Sequence, residues 1–549
     1  MRSKVRTKYT RRMILSFVLL AITAPADLVI ENAMIWSDGL TGFAPFAAVS
    51  GGEFVYVGER DESYVGASTQ RVDAGGRVVI PGLIDSHVHM LGGGASLNQI
   101  HLRDATDKAD FIAQLRKWAE DHPEQSWITG GRWSTESWAD KTEPTKHWLD
   151  EAVPDRPVFL SRMDGHSGVA NSKAFEMAGV TKDTKDPDGG RIVRDPQTGE
   201  PMGILRETAK GLVTRLIPGK SRAEQVADLK AAMRYANSLG ITSVSAITST
   251  GSFAIYYQVA EEGDMTVRCA MYPSLGRSNL ARIKQNFKTV PFWLELKGVK
   301  VFMDGTLGSR TAYMREPFNN NPADGADNVG LLMPATRDGT IEQLARQCAE
   351  NDLQLIGHAI GDMANHLLIE FFKDAFDDVR AARPRLEHAQ HLLAKDIPEI
   401  GRLGVITSYQ PFHKADDGRY CEDYIGAERS KSSYAYKDVL DSGGVLAFGS
   451  DWSVVTLNPY LGIEAAVTGK TLAGEFWQTQ NNISVMEALR GYTSSAAYAM
   501  FWEDKIGRIA AGYKADFVIL NTSPFGANPD WANMKPVATY VDGKKVFGQ

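Results

Sequence analysis

The chain has 549 residues, 43% of them hydrophobic and 23% charged, close to globular averages, which excludes wholesale disorder. Sixty Lys and Arg against 67 Asp and Glu give a net charge of −7, and that balance argues against a nucleic-acid-binding protein, which carries a basic excess. The three cysteines, Cys269, Cys348 and Cys421, make neither a disulfide framework nor a zinc ribbon, so any metal is held by His, Asp, Glu or a less usual ligand.

Residues 1–26 predict an export signal. Arg2, Lys4, Arg6, Lys8, Arg11 and Arg12 precede the apolar stretch Met13–Thr23, and Ala24-Pro25-Ala26 forms a small-residue exit. The apolar stretch is shorter than the roughly 18 residues that span a bilayer. Thr10-Arg11-Arg12-Met13 also loosely matches a twin-arginine signal. A periplasmic or secreted protein is expected, an uncleaved membrane anchor being the competing reading.

From Asp27 short β-type runs follow: Asp27–Ile30, Phe54–Gly58 and Arg77–Gly82, separated by Asp38-Gly39, Gly51-Gly52 and Gly75-Gly76. Residues 27–80 therefore predict a small antiparallel β unit. Residues 501–549 repeat the style, with runs at Gly507–Ile509, Ala515–Leu520 and Ala538–Val541. Neither unit has enough strands to bury a face, so the two chain ends are expected to pair into one β-sandwich.

Between them, within 81–500, lie eight apolar runs of β character, most followed by a helical stretch: Leu83–His89, Ile241–Ile247, Val267–Tyr272, Gly298–Met303, Leu353–His358, Arg385–His388, Val405–Tyr409 and Val445–Gly449. Strands alternating with helices mean a parallel sheet. Eight of them predict an α/β fold of the (β/α)8 TIM-barrel type. The long gap between the first two runs predicts an inserted α/β subdomain over about 100–215. It contains Trp118, Trp127, Trp133 and Trp138 and strand candidates at Trp127–Gly131 and Val158–Arg162. Gly92-Gly93-Gly94 match no phosphate loop and are expected to let the backbone turn.

Barrel active sites sit at the C-terminal ends of the strands. The first run ends in His87-Val88-His89, whose imidazoles share one side because residues i and i+2 of a strand do. In the fourth, Lys300 is in phase with Phe302 and Asp304, and a lysine in a strand buried on both faces needs a partner. The fifth ends at His358, the sixth at His388, and the eighth at Asp451. Four histidines, one aspartate and one buried lysine thus converge on one mouth.

Pro81-Gly82-Leu83-Ile84-Asp85-Ser86-His87-Val88-His89 resembles the first-strand signature of the amidohydrolase superfamily. Asp304-Gly305-Thr306-Leu307-Gly308-Ser309-Arg310-Thr311-Ala312 and Gly449-Ser450-Asp451-Trp452 resemble amidohydrolase family 3, the branch of the formamide deformylases. So do Asp164-Gly165-His166, Gln410-Pro411 and Gly512-Tyr513-Lys514-Ala515-Asp516. The resemblance covers nearly all of 27–549. It implies a metal-dependent hydrolase of an amide or formamide C–N bond, attacked by a metal-activated hydroxide.

Carried over residue by residue, the resemblance implies two divalent ions, best suited to zinc given imidazole and carboxylate donors. His87 and His89 hold the more buried ion. Lys300, carboxylated by carbon dioxide to a carbamate, bridges the two. His358 and His388 hold the second, and Asp451 binds the first and shuttles the proton. His166, Asp304, Arg310, Gln410 and His413 are candidates for substrate binding, and Trp133, Trp138, Trp452 and Phe412 hint at an apolar or aromatic substituent. The expected partner is a small-molecule amide, with no nucleic acid; assembly as a homo-oligomer stays open. Two other readings also stay open: a mononuclear deaminase-type hydrolase in which Lys300 is not a ligand, and an inactive barrel-fold binding protein. About two, one or no metal ions per chain separates the three.

Overall fold

In a computed structural model the chain is described over residues 25–135, 138–163, 167–187, 190–319 and 327–548. The export segment lies outside them apart from its last two residues. No helix among the described residues is long and apolar enough to cross a membrane.

Each of the eight central runs forms a strand: β1 (Leu83–Val88), β2 (Ile241–Thr248), β3 (Arg268–Pro273), β4 (Gly298–Phe302), β5 (Gln354–Ala359), β6 (Arg385–His388), β7 (Ile406–Tyr409) and β8 (Val445–Phe448). They pair in parallel in chain order, β1 to β3 in one sheet and β4 to β8 in another. A short extra strand, Leu294–Leu296, runs parallel to β3. Hydrogen bonds cross both junctions between the sheets. The Leu275 amide donates to the Lys300 carbonyl at 3.1 Å, and the Asp451 amide donates to the His87 carbonyl at 2.7 Å. β1, β3, β5, β6 and β7 are buried along their whole length, as expected of parallel strands covered on both faces.

Helices follow the strands. The first, α1 (Met90–Ser96), comes directly after β1, and α2 (Arg222–Ser238) leads into β2. Ser221 caps α2: it accepts from the Glu224 amide while the Glu224 side chain returns to the Ser221 amide, which satisfies two otherwise orphaned N–H groups. Gly92-Gly93-Gly94 lie inside α1 rather than in a turn, and their use is close approach. A Cβ on Gly94 would sit 2.1 Å from the Asp228 carbonyl oxygen of α2, and one on Gly93 2.2 Å from the Trp452 ring.

The segment between β1 and α2 carries a sheet of its own, ordered Gly190–Arg194, Pro201–Glu207, Ser167–Ala170, Val158–Arg162, Ile128–Trp133 and Ile100–His101. It has more strands than its sequence announces, because several are short, mixed in polarity and interrupted by glycine. Its hydrophobic cluster takes in Phe111, Trp133, Trp138 and Trp148. Trp133 and Trp138 are therefore core residues of this unit rather than part of a cavity wall.

The chain ends form two sheets, one of Glu53–Gly58, Phe46–Ser50, Leu28–Glu31 and Gln70–Asp73, the other of Met34–Ile35, Val78–Pro81, Phe517–Leu520, Pro536–Val541 and Lys544–Phe547. Their inner faces share a core of Leu28, Ile30, Phe54, Val79, Phe517, Ile519 and Tyr540. Two expectations change here. The N-terminal unit is not purely antiparallel, since Leu28–Glu31 pairs in parallel with Gln70–Asp73 and Met34–Ile35 with Val78–Pro81. Gly507–Ile509 forms no strand; the Ile509 amide is instead held by the Ser37 hydroxyl. Arg268 of β3 ties this layer to the centre. Its buried guanidinium makes a two-pronged pair with Asp516, at 2.9 and 3.0 Å, and reaches Asp542 at 2.6 Å.

Candidate metal centre

The C-terminal ends of β1, β4, β5, β6 and β8 open into a cavity of about 720 Å³, lined among others by His87, His89, Lys300, His358, His388, His413 and Asp451. The period-two geometry of β1 sends both its histidines to this mouth. His89 Nε2 is 3.2 Å and His87 Nε2 3.6 Å from Asp451 Oδ1. Lys300 Nζ lies 3.2 Å from His87 Nε2. The His388 ring is 4.9 Å from that of His87 and 4.5 Å from that of His358, between centroids. The six residues that the resemblance implies as ligands are thus brought together.

Two of them sit on left-handed backbone, His388 at φ 75° and Asp451 at φ 57°. Such conformations cost about 1–3 kcal/mol in residues other than glycine, and they cluster at functional sites. Each occurs where a strand ends and the chain turns.

Burial sets the protonation states. It pushes His87 down to about 4, helped by the Lys300 charge, and His358 down to about 3, again with Lys300 contributing. His388 is also driven well below the ordinary imidazole value by burial and its histidine neighbours. Neutral imidazoles are the metal-binding form. Burial pushes Lys300 down to about 8 against the pull of Glu387 and Asp451. Asp451 is held well below its ordinary value: burial opposes this, and is outweighed by the His89 hydrogen bond and the neighbouring imidazoles.

Three neutral imidazole sites beside an ionised carboxylate are suitable donors for divalent ions of the zinc type. His388 Nδ1 and His413 Nε2 are buried without a hydrogen-bond partner, which costs about 1–3 kcal/mol each unless something occupies the space between. The donor atoms of His87, His89 and Asp451 lie within 4.8 Å of one another, and so do those of His388, His413 and Asp451. The residues present fit a metal centre.

Glu387 and Arg385 were not singled out from the sequence. Glu387 is buried and accepts from His87 Nδ1, which leaves Nε2 facing the centre. Its other oxygen accepts from Arg385 Nε at 2.7 Å. Arg385 and His87 hold the Glu387 carboxyl down to about 2 despite burial. A carboxylate on the far nitrogen fixes tautomer and ring orientation. Arg385 and Glu387 are in phase on a strand with no solvent-facing side, the same pattern that marks Lys300. Asp85 acts similarly from β1. Its Oδ1 accepts from the His87 amide at 3.0 Å and the Ser450 amide at 3.1 Å, which joins the ends of β1 and β8.

The substrate-binding candidates are dispersed. His413 lines the cavity, on α3 (Pro411–Asp417), directly after β7. Asp304 is not in the lining. It is fully buried and accepts from the backbone amides of Ile360, Gly361 and Tyr313 at 2.8–3.0 Å, so it braces the β4 and β5 ends. Arg310 lies with its guanidinium 4.0 Å from the Tyr424 ring centre, also away from the lining. Gln410 donates to the Ser408 carbonyl at 3.1 Å and is likewise not in the lining. His166 lies outside the described residues. Trp452 packs on Tyr235 and, with Phe412, is absent from the cavity wall. The apolar lining instead includes Phe159, Met163, Ile217, Phe302, Leu307 and Val454. From the inserted unit, Arg132 Nη2 donates to Ser453 Oγ at 2.7 Å and Arg103 Nη1 to the Val454 carbonyl at 3.2 Å. The insertion is thereby docked on the loop that follows Asp451.

Parallel α/β strands with imidazole, lysine and carboxylate groups at their C-terminal ends define a hydrolase of the metal-dependent class. The comparisons agree. The sequence profile of the amidohydrolase family matches residues 70–547, and the chain belongs to that family. It is 35% identical to the protein LONG AFTER FAR-RED 3 of Arabidopsis thaliana, over 96% of this chain and 94% of that one. It is 26% identical to the N-substituted formamide deformylase of Arthrobacter pascens, over 95% and 98%. A crystal structure of a metal-dependent hydrolase from Pyrococcus furiosus superposes with a TM-score of 0.72 at 26% identity, covering 91% of this chain and all of that one.

Proposed function

We propose that the protein hydrolyses a non-peptide C–N bond, in an amide or formamide of a small molecule, at a centre of two divalent ions, zinc being best suited to the donors. The observation that carries this is the convergence of His87, His89, Lys300, His358, His388 and Asp451 at the floor of one cavity. The deformylase relative supports the bond type. The two sheets are read as one closed (β/α)8 barrel over 81–500 with the insertion at about 100–215. The terminal layers, 27–80 and 501–549, are read as a β-sandwich. Residues 1–26 are read as an export signal, so the mature chain acts outside the cytoplasm, with no nucleic-acid partner.

His87, His89 and Asp451 would hold the more buried ion, His358 and His388 the second, and carboxylated Lys300 would serve both. Bound ions supply Lewis acidity to a carbonyl oxygen and lower the pKa of water toward neutrality. Lys300 is buried and its amine is pushed toward the neutral form, the form that adds carbon dioxide at Nζ. The resulting carbamate is anionic and can ligate, where an ammonium cannot. Asp451 Oδ1, beside both β1 imidazoles, is placed to take a proton from the attacking water and deliver it to the leaving nitrogen. Glu387 keeps the His87 ring fixed. The apolar wall excludes water and accepts an apolar substituent.

The test is a screen of N-formyl, N-acyl and cyclic amides with protein whose metal content has been measured. Hydrolysis of at least one class, lost on chelation and restored by Zn²⁺ or Mn²⁺, is expected. Full activity in protein shown to hold no metal after gentle purification would overturn the reading. A single ion untouched by Lys300→Ala would move it to the mononuclear form.

A further inference from the structure

We propose that His413 is a metal-facing residue, and that with His388 and Asp451 it completes a second cation position on the β7 side of the cavity. The inference rests on the metal-dependent reading above but assigns a donor that the family resemblance does not.

Gln410 joins β7 to α3, which begins at Pro411, and the first turn of that helix puts His413 over the cavity. The residue is only 9% exposed. Its ring lies parallel to that of His388, 5° between planes and 6.1 Å between centroids. Donor atoms of His388, His413 and Asp451 all lie within 4.8 Å of one another.

Two of the unsatisfied buried atoms belong to this trio: His413 Nε2 and His388 Nδ1. A single cation held by these three residues would draw on imidazole lone pairs and a carboxylate that already lie within reach of one another. The other edge of the His413 ring is also prepared. Gln390, itself buried, has its amide 3.4 Å from His413 Nδ1. With the amide oxygen turned to the ring, Nδ1–H donates and Nε2 keeps its lone pair for an ion; amide orientation and imidazole tautomer are chosen together by such a network. His358 is committed differently, its Nε2 within 2.9 Å of the Gly305 carbonyl oxygen, which leaves Nδ1 as its other donor.

Asp451 is the residue common to both groups of donors, the β1 pair on one side and His388 with His413 on the other. A carboxylate has two oxygens and can serve two ions. The second position is thus anchored by protein side chains even before Lys300 is carboxylated.

The experiment titrates Zn²⁺, against a chromophoric chelator, into full-length chelator-stripped protein, with total metal measured in parallel. Wild type is expected to take two ions. His413→Asn is expected to keep one at wild-type affinity and to bind the other at least about 10-fold more weakly, a minimum set by the 10–100-fold typical of lost supporting groups. His413→Cys, which restores a ligating atom, should recover most of that affinity, and Gln390→Leu should give an intermediate loss. Matching near-ultraviolet circular dichroism of the stripped proteins checks the fold. If His413→Asn does not fold, the Cys and Leu variants decide. Two ions bound by His413→Asn with wild-type affinities, or by Gln390→Leu together with no metal-dependent effect of His413→Cys, would overturn the proposal. So would a wild type that takes one ion. Only a wild type that takes none would overturn the hydrolase reading itself.

Discussion

At the scale of single residues, the centre divides into groups that touch metal or substrate and groups that hold them. Asp451 is the one ionised carboxylate among the six family-implied positions, and it lies against both β1 imidazoles. Asp451→Asn is expected to keep the fold and at least one ion while kcat falls on the order of 10²–10⁴-fold. The loss should shrink for substrates with better leaving groups, which need less protonation. Retention of more than about a tenth of wild-type turnover on an ordinary amide would assign the shuttle to another residue. Lys300→Ala is expected to lose one ion and most activity, with partial rescue by short carboxylates, since a carboxylate can replace a carbamate and an amine cannot. Glu387→Gln removes only the support of His87 and should weaken metal affinity about 10–100-fold, read by the same chelator competition. The six positions were legible because strand periodicity and a known pattern both mark them. Asp304, Arg310 and Gln410 sit in equally suggestive segments, yet only packing reveals that Asp304 serves three backbone amides and Arg310 a tyrosine ring.

At the scale of elements, α1 shows how a helix can be fitted to the centre. Gly93 and Gly94 let it lie against the Trp452 ring and the α2 backbone, and Trp452 adjoins Asp451. Gly94→Ala gains helix propensity worth about 1 kcal/mol but drives a methyl onto the Asp228 carbonyl, so overpacking of about 1–3 kcal/mol should win. A lower urea midpoint with unchanged slope is the expected result, and an unchanged or higher midpoint would contradict it. In the sequence these glycines read as turn formers, because glycine's backbone freedom and its lack of a side chain leave the same mark. The eight central strands were legible for the opposite reason: strands buried on both faces become short continuous apolar runs. The inserted sheet was less so, since half-exposed strands such as Gly190–Arg194, with Arg191 and Arg194, interrupt the apolar run with charge.

At the scale of the whole molecule, Arg268 fastens the terminal layer to the strands that carry the centre. Arg268→Ala leaves Asp516 buried without its partner, a change that typically costs about 3–5 kcal/mol. Thermal unfolding should drop accordingly, and a Tm within a degree or two of wild type would show that the layer is held mainly by its apolar core. Cys269, Cys348 and Cys421 are all buried and unpaired, so reductant should leave the Tm unchanged. If residues 1–26 direct export, amino-terminal sequencing of the extracytoplasmic protein should begin near Asp27, whereas an intact Met1 on a cytoplasmic protein would count against it.

The sequence by itself determined the order and type of the central elements and which six polar residues meet, because hydrophobic periodicity and the strand-end rule are local properties of the chain. Tertiary structure alone decided what surrounds those six. Glu387 behind His87, His413 facing His388, and the arginines of the insertion on the loop after Asp451 join positions far apart in the chain. Contact between such positions depends on how helices and loops pack over the strand ends, which no local pattern encodes.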